Sequence, residues 1–229
     1  MRKRRYERNH TAISQEENRI LAGKKACVAG CGGLGGGVIE GLVRTGVGTV
    51  VAVDGDVFDE TNLNRQVFSN EENMGKSKAE EAAVQSRLIN SEVEVIAVNS
   101  FIDEKNVREI IADSDVAVDA LDNAEARKML EAACEEAGIP LVHGAVAGWN
   151  GQVSVIIPGE RMIEALYEGE SVGGDENDTG NPYFTPAVIS ALEVAEAIKL
   201  LLGKESSLEG KLLTVDLMNH QYEIIDFGE

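Results

Sequence analysis

Residues suited to holding an anionic ligand recur along the first half of this chain. Gly30-Cys-Gly-Gly-Leu-Gly35 contains G-x-G-x-x-G. Gly30, Gly32, Gly33 and Gly35 would let backbone N–H groups close around phosphate oxygens at the positive end of a helix dipole. Asp54 lies 24 residues after Gly30 (54 − 30), with Asp56 two positions on. An acid at that spacing can hydrogen-bond ribose hydroxyls. These features describe an adenine nucleotide on a Rossmann-like unit without choosing among NAD, FAD and ATP, whose sites share them.

The residues that follow favour a triphosphate. Asn62-Leu-Asn-Arg65-Gln66 comes just after the ribose acid, and Lys78 opens the next helical stretch. An NAD site has no need for an arginine and a lysine here, whereas several phosphate charges do. Arginine offers a planar fork to phosphate oxygens and lysine a point charge. Asp122, followed by Asn123, ends the strand predicted over 116–120, where open α/β sheets place ligand groups. A carboxylate there could hold the magnesium that bridges phosphates. Each residue alone has a plainer reading: a lysine on a helix surface, an arginine in an ion pair, an aspartate capping the helix that starts at Ala124. Their joint occurrence at successive strand ends is what reads as a site.

Positioning such a set requires alternating elements, and the hydrophobic pattern supplies them. Strands are expected at 25–29, 49–53, 93–98 and 116–120, with helices at 34–45, 76–89, 104–112 and 124–137. Helix 76–89 would bury Ala79, Ala82, Ala83, Val84 and Leu88. This alternation predicts a parallel sheet covered on both faces. The last third differs. Strands at 141–145 and 152–157 flank the turn residues Gly148-Trp-Asn-Gly151, a helix spans 186–202, and 212–216 with 222–225 close the chain as a pair. The aperiodic loop 159–184 is long enough to suggest a functional role. His143, ending a strand, reads as a packed histidine rather than a base. Trp149 could pack under the loop or meet a partner.

Composition narrows the class. The chain has 229 residues and a net charge of −19, so phosphate backbones are repelled and nucleic acid is not an expected partner. No apolar run reaches the roughly 20 residues that cross a bilayer. Met1-Arg-Lys-Arg-Arg5 has the charge of a signal peptide's first region, but no apolar stretch follows, so secretion is not expected. Cys27, Cys31 and Cys134 form no Cys-x-x-Cys pair. They read as reduced core residues of a cytoplasmic protein, with no structural zinc.

The quoted motifs, with Gly75-Lys-Ser-Lys78 and Asp119-Ala-Leu-Asp122-Asn123, resemble those of the MoeB/ThiF/HesA group, bacterial relatives of ubiquitin-activating enzymes. The Arg5-Tyr-Glu-Arg8 start is similar to that group's Arg-Tyr-x-Arg opening, so the likeness runs from about residue 5 to the C-terminus. It implies a single domain over 1–229: a helical arm (1–24), a nucleotide-binding half (25–145), and a carrier-binding half (146–229) with a crossover loop at 159–184. The implied fold is a Rossmann-like three-layer α/β fold whose parallel N-terminal sheet continues into an antiparallel C-terminal part. The implied activity is ATP- and magnesium-dependent adenylation of the C-terminal Gly-Gly carboxylate of a ubiquitin-like sulfur-carrier protein.

The resemblance also implies roles. Gly33 would line the phosphates, Asp54 hold the ribose, Asn62, Arg65 and Lys78 contact the triphosphate, and Asp122 bind magnesium. Arg8 would reach into the other subunit's site in a homodimer. Two features depart from many relatives: there are no Cys-x-x-Cys pairs for zinc, and no cysteine lies within 159–184. Chemistry beyond adenylation through a loop cysteine is therefore not expected. Rival readings are a relative that adenylates a peptide, a small molecule or a tRNA base, a NAD-dependent oxidoreductase, and an inactive scaffold. Absence of a Tyr-x-x-x-Lys pair disfavours the oxidoreductase.

Overall fold

The computed structural model describes residues 4–167 and 179–227. Eight strands form one sheet in the order β3-β2-β1-β4-β5-β6-β7-β8. They are β1 Lys25–Ala29, β2 Thr49–Val53, β3 Glu94–Val98, β4 Val116–Asp119, β5 Leu141–Ala147, β6 Asn150–Ile156, β7 Lys211–Asp216 and β8 Gln221–Asp226. Pairings from β3 through β5 are parallel, and those from β5 to β8 antiparallel. The expected change from parallel to antiparallel therefore falls at β5. The 145/146 division between halves lies inside that strand, and ladder hydrogen bonds run unbroken across it.

The helices are α1 Gln15–Leu21, α2 Gly33–Thr45, α3 Lys78–Ile89, α4 Val107–Ile111, α5 Ala124–Ala137, α6 Met162–Leu166 and α7 Phe184–Leu201. One face of the sheet packs against α2, α3 and α7 through residues such as Val28, Ile39, Ala82 and Ile189. The other packs against α4, α5 and α6 through Ile110, Leu130 and Ile163. The central strands are apolar on both sides because both sides are covered. No helix among the described residues is long and apolar enough to cross a membrane.

Small residues let α2 and α7 approach closely. Gly37 and Gly41, four residues apart and hence on one ridge, face Ser190 and Val194, and a Cβ at either glycine would run into them. Gly33 meets Pro186 in the same series. This brings the N-terminus of α7 beside that of α2.

Three expectations need correction. The buried stripe of α3 is Ala79, Ala82 and Ser86, whereas Val84 and Leu88 face solvent, Leu88 at 80% exposure. At 3.6 residues per turn, 79, 82 and 86 share one face and 84 and 88 the opposite one. Helix α4 is shorter than 104–112, because Asp103 Oδ1 accepts from Lys105 and Asn106 N–H groups and fixes a turn first. Strands β5 and β6 extend further toward each other than expected and leave only Gly148-Trp149 between them, Gly148 taking φ 58°. Of the crossover loop, 159–167 contains α6, 168–178 lies outside the described residues, and 179–184 leads into α7.

Candidate active site

A cleft of about 820 Å³ opens at the C-terminal ends of β1, β2 and β4, within the usual ~300–1,000 Å³ of small-molecule sites. Its floor is the glycine loop. Gly30 has φ 100°, and a Cβ there would lie 2.5 Å from the Ala120 carbonyl oxygen. At Gly35 a Cβ would overlap the Gly30 carbonyl. Gly32, which has no side chain, caps α2, so first-turn N–H groups of a 13-residue helix face the cleft without a side-chain acceptor.

The predicted residues gather around this floor. Asp54 Oδ2 accepts from Cys31 N–H and Oδ1 from Asp56 N–H, each at 2.8 Å. The proposed ribose acid thus also ties the glycine loop to the loop after β2. Lys78 begins α3, with Ser77 as N-cap. Its Nζ lies 3.3 Å from Asp56 Oδ2. Asn62 is buried and its Oδ1 accepts from Asp59 N–H at 3.1 Å, which gives it a structural task. Arg65 Nη1 donates to Thr61 O at 3.0 Å and Asn64 Oδ1 at 2.9 Å. No carboxylate forms an ion pair with Arg65 among the described residues, although the Asp59 carboxylate is near enough to sense its charge. Gln66 also lines the cleft, and its shielded Oε1 has no partner.

Asp122 is exposed in the cleft and pairs with no described residue, and the cap of α5 is Asn123, whose Oδ1 accepts from Ala126 N–H at 2.8 Å. That overturns the plainer reading of Asp122 as a helix cap. No group of three or more His, Cys, Asp or Glu side chains that could hold a metal occurs among the described residues. A lone carboxylate beside a phosphate cradle suits magnesium held mainly by phosphates, rather than a protein-caged ion.

Arg8 is not part of this cleft. It is exposed on a 3-10 turn, Arg4–Asn9, which is pinned by Tyr6. The Tyr6 hydroxyl accepts from Asn90 Nδ2 at 2.9 Å and packs on Gly46. Asn90 and Gly46 end α3 and α2, whereas the cleft lies at their beginnings. At 1.5 Å rise per residue, α2 alone separates the two ends by roughly 20 Å.

Behind the Asp122 loop lies a buried polar network that motif reading missed. His143 is fully buried, as its packed reading implied, with Nδ1 2.7 Å from Asp119 Oδ2 and Nε2 3.2 Å from Gln152 Nε2. Arg127, 5% exposed, donates to Leu121 O at 2.5 and 3.1 Å and to the Tyr167 hydroxyl at 2.5 Å. It thereby braces the loop that carries Asp122. A charged residue on the inward stripe of helix 124–137 was the available signal. Glu193 is fully buried with neither oxygen hydrogen-bonded, and burial, then Asp119, holds its carboxyl well above the usual range. Burial pushes the Cys27 thiol up to about 12 and those of Cys31 and Cys134 upward as well, so none is a ready nucleophile. The Trp149 ring packs on Phe184, centroids 4.3 Å apart.

The fold and cleft define a nucleotide-binding α/β protein whose parallel sheet carries an antiparallel extension. The pattern of the ThiF family matches residues 6–229, and the chain belongs to that family. It is 37% identical over 218 residues to the SAMP-activating enzyme E1 of Haloferax volcanii, covering 94% of this chain and 81% of that protein. It is 34% identical to the sulfur carrier protein ThiS adenylyltransferase of Bacillus subtilis, over 91% of this chain and 63% of that one. It is 30% identical to the molybdopterin-synthase adenylyltransferase of Escherichia coli, over 88% of this chain and 82% of that one. With such relatives, the protein is an adenylyltransferase. Among solved structures, E. coli MccB shares the fold at a TM-score of 0.84 and 22% identity, over 99% of this chain and 70% of that chain. E. coli tRNA N6-threonylcarbamoyladenosine dehydratase, TcdA, superposes with a TM-score of 0.74 at 25% identity, over 87% of this chain and 94% of that chain.

Proposed function

We propose that this protein uses ATP and magnesium to adenylate the C-terminal Gly-Gly carboxylate of a ubiquitin-like sulfur-carrier protein. The observation that carries the reading is an Arg65 with no carboxylate partner, a Lys78 turned into the cleft and an unengaged Asp122, all around one glycine-cradled helix N-terminus. Arg65, and Lys78 once drawn from Asp56, can offset phosphate charge, and Asp122 can meet a divalent cation. Relatives named for SAMP, ThiS and molybdopterin synthase support a carrier substrate, without deciding the pathway.

In this scheme the α2 N-terminus and the glycine loop hold the phosphates, and Asp54 orients the ribose. A tail carboxylate oxygen attacks the α-phosphorus, the bond to the β-phosphate oxygen breaks, and pyrophosphate leaves. Arg65 and Lys78 offset the charge that builds on the phosphate oxygens, so catalysis is positioning plus electrostatics. Magnesium, when bound, would neutralise phosphate charge and would be held by Asp122. Arg8, too far from its own cleft, would complete the site of a second copy in a homodimer. The test is mass spectrometry of a small Gly-Gly-ending carrier after incubation with the protein, ATP and magnesium. A carrier gaining one adenylyl group supports the reading. An unmodified carrier beside an adenylated free amino acid, peptide or tRNA would move the assignment to a different substrate.

A further inference from the structure

Helix α5 carries two charged residues on the stripe it buries, Arg127 at 5% exposure and Glu131 at 2%. They are four residues apart and so share one face. Apolar side chains of similar volume at buried positions are often as stable or more so, which makes packing alone a poor reason for charges there. Glu131 has a task at α6, where it accepts from Ile163 N–H at 2.7 Å and Glu164 N–H at 3.1 Å.

Arg127 holds the loop that precedes α5. Its Nε and Nη2 donate to Leu121 O at 3.1 and 2.5 Å, and its Nη1 donates to the Tyr167 hydroxyl at 2.5 Å. Tyr167 is itself anchored, its carbonyl accepting from Lys128 Nζ at 2.6 Å and its hydroxyl from Gln152 Nε2 at 3.2 Å. Asp119, whose Oδ2 lies 3.8 Å from Arg127 Nε, accepts from Leu121 N–H through Oδ1 at 3.1 Å. Both peptide groups of Leu121 are thus held, the amide by Asp119 and the carbonyl by Arg127. That carbonyl belongs to the peptide bond joining Leu121 to Asp122. On the other side, Asn123 is fixed as the cap of α5. Asp122 therefore stands on a backbone pinned before and behind it, while its own carboxylate is exposed in the cleft.

We infer that Arg127 is a positioning residue for magnesium: by gripping the carbonyl before Asp122, it presets the carboxylate that would meet the ion. This rests on the reading that Asp122 holds magnesium with ATP. Where phosphates supply most of the ligands, one carboxylate contributes most when it is already in place, because ordering it on binding would cost part of the gain. Arg127 itself lines no part of the cleft, so it acts through the loop and not on the nucleotide.

The test is calorimetric titration of ATP into the full-length protein with and without magnesium, the ratio of the two affinities being the magnesium gain. Wild type should show a gain of about tenfold or more, and Asp122→Asn should reduce it to about twofold or less. Arg127→Met should reduce it to about threefold or less. Arg127→Lys keeps the buried charge beside Asp119 without the planar fork, and should lose at least about half of the gain. Both Arg127 variants should bind ATP without magnesium within about twofold of wild type. A wild-type gain in either folded variant would overturn the inference. Weakened ATP binding without magnesium, or failure of both variants to fold, would make the role of Arg127 structural and overturn it too. A wild type with no gain, or a gain unchanged in Asp122→Asn, would instead refute magnesium at Asp122, and the inference with it.

Discussion

Lys78→Met separates catalysis from stability at the centre of the site. The substitution keeps the packed aliphatic stem and removes the charge. In the resting protein the ammonium pairs with Asp56 at 3.3 Å, but the Asp56 side chain is 52% exposed, so losing the partner strands no buried charge. Pairs of this exposure contribute ~0–1 kcal/mol. For a chain of 229 residues, 1 kcal/mol is a melting shift of about 2–4 °C. The transition state is different, because negative charge builds on oxygens that Lys78 would face. Removing one preorganised contact of that kind costs about 3–4 kcal/mol, or roughly 10²–10³ in rate. ATP–pyrophosphate exchange at saturating ATP, beside a thermal melt, should therefore show a rate loss of about a hundredfold or more with a melting change under about 4 °C. A rate loss below about tenfold would remove Lys78 from the reaction. A large melting loss would make its role structural.

Four further outcomes follow, three from the geometry and the last from the proposed homodimer. Gly35→Ala, whose Cβ would overlap the Gly30 carbonyl, should displace the glycine loop and weaken ATP binding by about tenfold or more on calorimetry. Glu193 has a folded pKa raised by burial, so its proton favours the folded state, and stability should fall as pH rises above the ordinary carboxylate value of about 4.3. Glu193→Gln should lose that slope, unfolding in urea about 1–3 kcal/mol later than wild type at pH 8 and converging with it near pH 4. The three cysteines, buried and with raised pKa values, should react with a thiol reagent at pH 8 only after denaturation. Arg8→Ala and Asp122→Ala should each be nearly inactive, yet regain part of the activity when mixed, since one site of the mixed dimer keeps both residues. No recovery despite subunit exchange would place Arg8 outside the active site.

The parallel half was readable because its signals are local. The strands around Lys25 and Thr49 are short apolar runs, and the glycine loop sits between strand and helix as its chemistry requires. Arg65, Lys78 and Asp122 could be placed together because each follows a strand, and parallel strands deliver their C-terminal ends to one edge. What stayed hidden depends on distant partners. Leu88 and Val84 match a helical period, but only the packing of Ala82 against the neighbouring layer decides which stripe is buried. Tyr167 and Arg127 are 40 residues apart, and Glu193 packs beneath Gly144 on another element, so no local pattern announces either contact. Asn181 reads as one more loop asparagine until Asn64 Nδ2 bonds its carbonyl and Gly148 N–H that of Gly180.

In the proposed reaction a carrier's terminal carboxylate displaces pyrophosphate from ATP in this cleft. Carrier-dependent exchange of labelled pyrophosphate into ATP measures that step directly, because only a reversible adenylate returns the label. Exchange should require magnesium and a Gly-Gly-ending carrier, vanish when the carrier's last glycine is removed, and leave no reducible enzyme–carrier conjugate. Exchange that persists with the truncated carrier, or no carrier-dependent exchange at all, would refute that reaction.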